Sequence, residues 1–100
     1  MDREREVIWD SSALEALGTA LNWIMRDSVS GAEKVRDGIL KKLNQASKNP
    51  YRFPPDAYKI GNTGNYRSVI THSYRISYRI LDAKIRVLRL RHVKQQSKFY

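Results

Sequence analysis

The residues Tyr74-Arg75-Ile76-Ser77-Tyr78-Arg79-Ile80 alternate without a break between large apolar or aromatic side chains and Arg or Ser. A period of two fits an extended strand, with Tyr74, Ile76, Tyr78 and Ile80 on one face and Arg75, Ser77 and Arg79 on the other. Such a strand needs neighbours for its backbone groups and a second layer for its apolar face. The flanking sequence supplies both. Residues 66–71 and 85–91 are also β-rich, and the breaks at His72-Ser73 and Asp82-Ala83 are hairpin-sized. The three runs are therefore expected to form an antiparallel meander. In the last run Leu88 and Leu90 are assigned to the core side with Ile76 and Ile80. Arg89 and Arg91 then join Arg75 and Arg79 on the open side, and Arg67, which begins the preceding run, could join them. Val87 and Arg86 do not fit this parity.

The first half has the other period. After a short strand at residues 6–10, Ser12-Ala13-Leu14-Glu15 reads as a capping box, followed by apolar Leu14, Leu17, Leu21, Ile24 and Met25 at helical spacing, with Trp23 beside them. Ser30-Gly31-Ala32-Glu33 reads as a second box. Ala32, Val35, Ile39, Leu43 and Ala46 then make a helix of about four turns, ended by Asn49-Pro50. Gly38 inside it costs about 1 kcal/mol relative to Ala, which a close approach to another element would explain. Residues 50–65, with three prolines and two glycines, form a connector pinned by Phe53 and Tyr58. The expectation is one α+β domain over residues 1–100, ordered β-α-α-β-β-β, with a helical hairpin on one face of a small, mainly antiparallel sheet. The place of the first strand in that sheet stays open.

Charge narrows the function. Eight Lys/Arg and eight Asp/Glu cancel in residues 1–50, whereas eleven Lys/Arg face only Asp56 and Asp82 in residues 51–100, so the net +9 lies wholly in the second half. An anionic partner is expected, either nucleic acid or an acidic protein. Arginine dominates the strands, and its planar fork binds phosphate or carboxylate in two places at once. Two scattered aspartates do not suit a two-metal nuclease site. Without cysteine, and with only His72 and His92, zinc is not expected either. Gly61-Asn62-Thr63-Gly64 lacks the features of a phosphate-binding loop. No cofactor is expected. No apolar run approaches a membrane span, and the first six residues do not resemble a signal peptide, so a cytoplasmic protein is expected. The chemistry left open is metal-free RNA cleavage, in which arginines steady the developing charge and His92, Lys59, Lys94 or Tyr100 moves protons.

The order of elements, the Trp9-Asp10-Ser11-Ser12-Ala13 opening, the Asn49-Pro50 helix exit, and the blocks Gly64-Asn65-Tyr66-Arg67, Ser73-Tyr74-Arg75-Ile76-Ser77-Tyr78-Arg79-Ile80 and Val87-Leu88-Arg89-Leu90-Arg91-His92 resemble the RelE/ParE superfamily of toxins, which includes plasmid stabilisation proteins. The resemblance implies a toxin of a type II toxin–antitoxin system with a cognate acidic antitoxin. RelE-like members cleave mRNA on the ribosome without metal, which is the activity expected here, and ParE-like members, the alternative, poison DNA gyrase. In the first branch the resemblance implies Arg75, Arg91, His92 and Tyr100 as catalytic residues. Lys59, Arg67, Arg79, Arg89 and Lys94 would grip nucleic acid. The lysine pair typical of the founding RelE strand is replaced here by Arg67-Ser68-Val69. A non-toxic basic nucleic-acid-binding domain is the remaining alternative.

Overall fold

A computed structural model describes residues 4–96 and 98–100. Its elements are β1 (Glu6–Trp9), α1 (Ser11–Met25), α2 (Val29–Lys48), β2 (Tyr66–Thr71), β3 (Tyr74–Ile80) and β4 (Lys84–His92). The strand order is β1-β4-β3-β2. The meander is antiparallel, and β1 adds at the free edge of β4 in parallel, with Val7 opposite Ile85 and Trp9 opposite Val87. That position follows from the helices between them, since a parallel neighbour needs a long crossover.

Both helices lie on one face of the sheet. Its core joins Ile39, Leu43 and Ala46 of α2 to Val69, Ile76, Tyr78, Ile80, Ile85, Val87 and Leu90. On α1 the buried stripe is shifted from the leucines. Ala13 is buried and Ala16, Leu17, Ala20 and Ile24 pack against the core, whereas Leu14 and Met25 are exposed. Small residues let α1 settle close to the sheet.

The helix starts differ from the capping boxes. Asp10 stands at the first cap, but its carboxylate makes no capping bond and pairs with Arg86 at 3.0 Å. Ser28, not Ser30, caps α2, its Oγ accepting from the amide of Gly31 at 2.9 Å. A cap of this kind is worth about 1 kcal/mol. The second helix runs for 20 residues and ends at Asn49, as the Asn-Pro pair implies.

Two local features set the register of the sheet. The turn between β2 and β3 has both central residues, His72 and Ser73, at positive φ (49° and 68°), the conformation that matches strand twist in a two-residue hairpin. Between β3 and β4 the pairing slips: Ser77 faces Arg89 but Tyr78 faces Val87. Leu88 is therefore a bulged extra residue. It is half-buried and outside the core, contrary to its expected place beneath the helices. The bulge explains why Val87 and Arg86 break simple parity. Ile85 and Val87 point inward before it, and Leu90 points inward after it.

Candidate functional site

The sheet face away from the helices carries the expected arginines. Arg75 lies directly across from Arg91, Ser77 from Arg89, and Arg79 from both Arg86 and Tyr66. Directly paired residues share a face, so Arg75, Arg79, Arg89 and Arg91 are brought together.

This face is covered, however. The connector first pairs along the outer edge of β2, with the Asp56 amide on the Tyr66 carbonyl (2.8 Å) and the Ser68 amide on that of Pro54 (3.1 Å). It then turns under the sheet, where the Arg75 guanidinium stacks 4.9 Å from the centre of the Tyr58 ring. Residues 98–100 return across the face and pair with the connector. The Tyr100 amide donates to the Tyr58 carbonyl at 3.0 Å, and the Ile60 amide to the Tyr100 carbonyl at 2.7 Å. Arg89 donates to the Lys98 carbonyl (2.8 Å) and Arg91 to that of Gln96 (3.2 Å). Ser77, although on this face, is buried. The gap left among Tyr58, Arg75, Ser77, Arg89 and Arg91 measures about 10 Å³, room for a single water at most.

Tyr100 closes the arrangement. Its hydroxyl donates to Asp56 Oδ2 at 2.6 Å, while Asp56 Oδ1 accepts from the Tyr58 amide at 3.1 Å. The ring meets Tyr66 edge-on, with Lys59 5.0 Å and Arg89 4.4 Å from its centre. Burial, then the bond to Asp56 and its negative charge, raise the hydroxyl well above the ordinary tyrosine range; Ser77 and Arg89 oppose this weakly. Lys59 and Arg79 flank Tyr66 at 4.8 and 5.4 Å.

Three expected residues lie elsewhere. Arg67 pairs with Tyr78, on the helix side of the sheet. Its Nε donates to the Gly64 carbonyl (2.8 Å), its Nη1 to that of Phe53 (3.0 Å), and it stacks over Tyr51. It organises the connector rather than joining the other arginines, because position 67 has the parity of core residue Val69. His92 pairs with Tyr74, also on the helix side, and its ring meets Tyr74 edge-on at 5.1 Å. Its Nδ1 accepts from the Lys94 amide at 3.1 Å. The imidazole lines a groove of about 550 Å³ beside α1, with Glu15, Trp23 and Leu90. Arg75 and Arg91 are thus separated by the sheet from the expected proton carrier His92. Lys94 is exposed in the turn after β4.

Sequence reasoning missed Asp56. It is buried, it is one of two acids in the basic half, and it holds both the connector and Tyr100. The only signal was a lone carboxylate beside Pro54-Pro55. Among the described residues no three His, Asp or Glu side chains gather as a metal site.

The family model described as ParE toxin of type II toxin–antitoxin system, parDE, matches residues 7–97. The chain belongs to this ParE toxin family, within the RelE/ParE superfamily. Among solved structures, a chain of the chromosomal ParDE TA system from P. aeruginosa superposes with a TM-score of 0.66 at 13% identity, covering 89% of this chain and 96% of that one. The YoeB dimer from Staphylococcus aureus gives 0.59 at 16% identity, covering 90% and 98%. At these identities the likeness is one of fold. No curated protein matches the sequence significantly.

Proposed function

We propose that this toxin acts by binding its target rather than by cutting RNA, as a ParE-like inhibitor of DNA gyrase held in check by a cognate acidic antitoxin. The observation that carries this reading is the separation of His92 from Arg75 and Arg91 by the thickness of the sheet. General acid–base catalysis needs a proton carrier within hydrogen-bond reach of the reacting atoms. Of the other expected carriers, Tyr100 has its hydroxyl committed to Asp56 with its ionisation suppressed, Lys59 is stacked against the Tyr66 and Tyr100 rings, and Lys94 is exposed in the turn after β4. A basic surface suits binding to an acidic protein, where charge sets orientation and encounter rate. Both the target and the antitoxin place the action in the cytoplasm. Among the described residues no helix is long and apolar enough to cross a membrane.

The test is induction in cells, followed by parallel assays of plasmid supercoiling and of mRNA integrity by primer extension. Loss of supercoiling with intact transcripts is expected, and His92→Ala should inhibit growth within about twofold of wild type, as a surface change away from the chemistry would. Fresh transcript ends with normal supercoiling would overturn the proposal.

One observation favours the mRNA endonuclease as a second reading: Arg75 and Arg91 stand directly opposite on one face, a pairing suited to a phosphate. On that reading the ribosome and mRNA are the targets, and Arg75→Ala abolishes both cleavage and toxicity without unfolding the chain. Absence of any growth defect would instead leave the basic nucleic-acid-binding domain.

A further inference from the structure

One helix is apolar on both sides. The inner side of α1, with Ala13, Ala16, Leu17, Ala20 and Ile24, belongs to the core. Leu14, Gly18, Leu21 and Met25 run along its outer side at spacings of four, three and four residues, the repeat of a helix-on-helix seam. Leu14 and Met25 are 54% and 45% exposed, and Leu21 is half-buried outside the core. Glu15 is the only charged residue among the fifteen of α1, against seven among the twenty of α2. A surface helix carries charges toward water, and one that is apolar all round has a partner on each side.

Gly18 points the same way. A glycine inside a helix weakens it relative to alanine. At Gly38 a Cβ would strike the ring of His72, but a Cβ built at Gly18 meets nothing within 4 Å. Nothing within the fold requires this glycine, whereas the close approach of a second helix does.

Charge names the occupant. Glu15 and Arg26 flank the seam in one row, since the eleven residues between them make about three turns. Neither has an ion-pair partner among the described residues, and Arg26 stacks on Trp23 at 5.2 Å. Leu14 and Met25 are also eleven residues apart. When two copies of α1 lie antiparallel about a two-fold axis between residues 18 and 21, each Leu14 therefore meets Met25 of the other copy. Each Gly18 receives Leu21, and each Glu15 comes within a turn of Arg26. Such self-complementarity is what a symmetric contact needs. The helix is also a surface where two chains of net charge +9 meet without opposing their cations.

We infer that the outer face of α1 is a homodimer contact, in which the first helices of two copies of this chain pack antiparallel with Gly18 at the crossing. One helix of about four turns from each side makes the contact, so it falls below the roughly 1,200 Å² of a standard interface and holds with micromolar affinity. The arginine face lies on the side of the sheet away from the helices. The dimer therefore turns two basic faces outward, in opposite directions. This inference does not depend on the proposed function, and its test involves neither gyrase nor toxicity.

Sedimentation equilibrium of the full-length chain across the micromolar range measures the dimer directly. A monomer–dimer equilibrium is expected. Leu14→Gln and Gly18→Leu should each weaken it at least about tenfold. Gly18→Leu should do so without lowering the thermal unfolding midpoint, because leucine is the better helix former and has room there. Trp23→Ala, on the far side of the same helix, should leave the equilibrium within about twofold of wild type. Glu15→Arg and Arg26→Glu should each weaken the dimer about tenfold, since symmetry breaks two exposed pairs at once. The two together should restore it to within about twofold. Circular dichroism checks the fold of each variant, and the charge variants, both at exposed positions, decide the matter if Leu14→Gln does not fold. A wild type that stays monomeric across this range would overturn the inference, as would a dimer indifferent to Leu14→Gln and Gly18→Leu. Single charge variants that weaken a dimer which the double variant does not regain would overturn the antiparallel pairing.

Discussion

Gly38 of α2 faces the imidazole of His72 across the β2–β3 turn so closely that a Cβ at position 38 would stand 2.4 Å from His72 Cδ2 and 2.6 Å from Nε2. The glycine that costs the helix propensity is what lets the hairpin tip rest against it. Gly38→Ala gains about 1 kcal/mol of helix propensity but must swing the exposed imidazole aside and crowd Thr71 Oγ1, which lies 3.2 Å from that Cβ. The propensity gain should be largely cancelled. In a His72→Asn background more of it should appear, up to about 1 kcal/mol. Urea unfolding of the four proteins of this cycle checks it, and additive effects would show that the two residues do not meet.

The same turn holds Ser73 at φ 68°, where a Cβ is disfavoured by roughly 1–2 kcal/mol. Ser73→Gly should therefore raise stability by about 1 kcal/mol, despite the added freedom of glycine in the unfolded chain. A lower unfolding midpoint would mean that the turn does not hold this conformation in solution.

Arg67 and Arg79 should respond differently to truncation. Arg67→Ala removes two hydrogen bonds that anchor the connector and should cost about 2 kcal/mol. Arg79→Ala, at an exposed position, should stay within about 0.5 kcal/mol. Thermal unfolding of both variants measures the contrast, and equal losses would remove the structural role assigned to Arg67.

Alkaline pH should unfold the protein through its tyrosines. Burial pushes the Tyr78 hydroxyl far above the ordinary range, with the Arg67 charge opposing it weakly, and Tyr100 is raised as well. A raised folded value means that the unfolded chain releases its proton first. Stability is then intact below about pH 10, where a free tyrosine titrates, and falls above it, by about 1.4 kcal/mol per pH unit for Tyr78. The Tyr78 hydroxyl also donates to the buried Pro50 carbonyl at 2.7 Å. Tyr78→Phe should cost about 1 kcal/mol at neutral pH and flatten the alkaline slope. An unchanged slope would contradict the assignment.

The two periods of the sequence carry most of the fold. Alternation in β3 gives the sheet faces, and the spacing from Ala32 to Ala46 gives the buried side of α2. What alternation cannot carry is a slip in its own count, and Leu88 is such a slip. The face of His92 was legible, since it lies two residues past inward-facing Leu90, but the family pattern grouped it with the arginines. The contact between Asp56 and Tyr100 spans 44 positions and depends on how two irregular segments cross under the sheet. Nothing periodic marks such a crossing.

The bulge separates the curvature of the basic face from its charge. With Leu88 removed, the remaining residues, Ile85-Arg86-Val87-Arg89-Leu90-Arg91, alternate without interruption. Loss of that single codon would straighten β4 and relax its extra twist, yet every arginine would keep its side of the sheet. Mutation therefore has a one-step route to reshape what this surface fits without altering what it attracts.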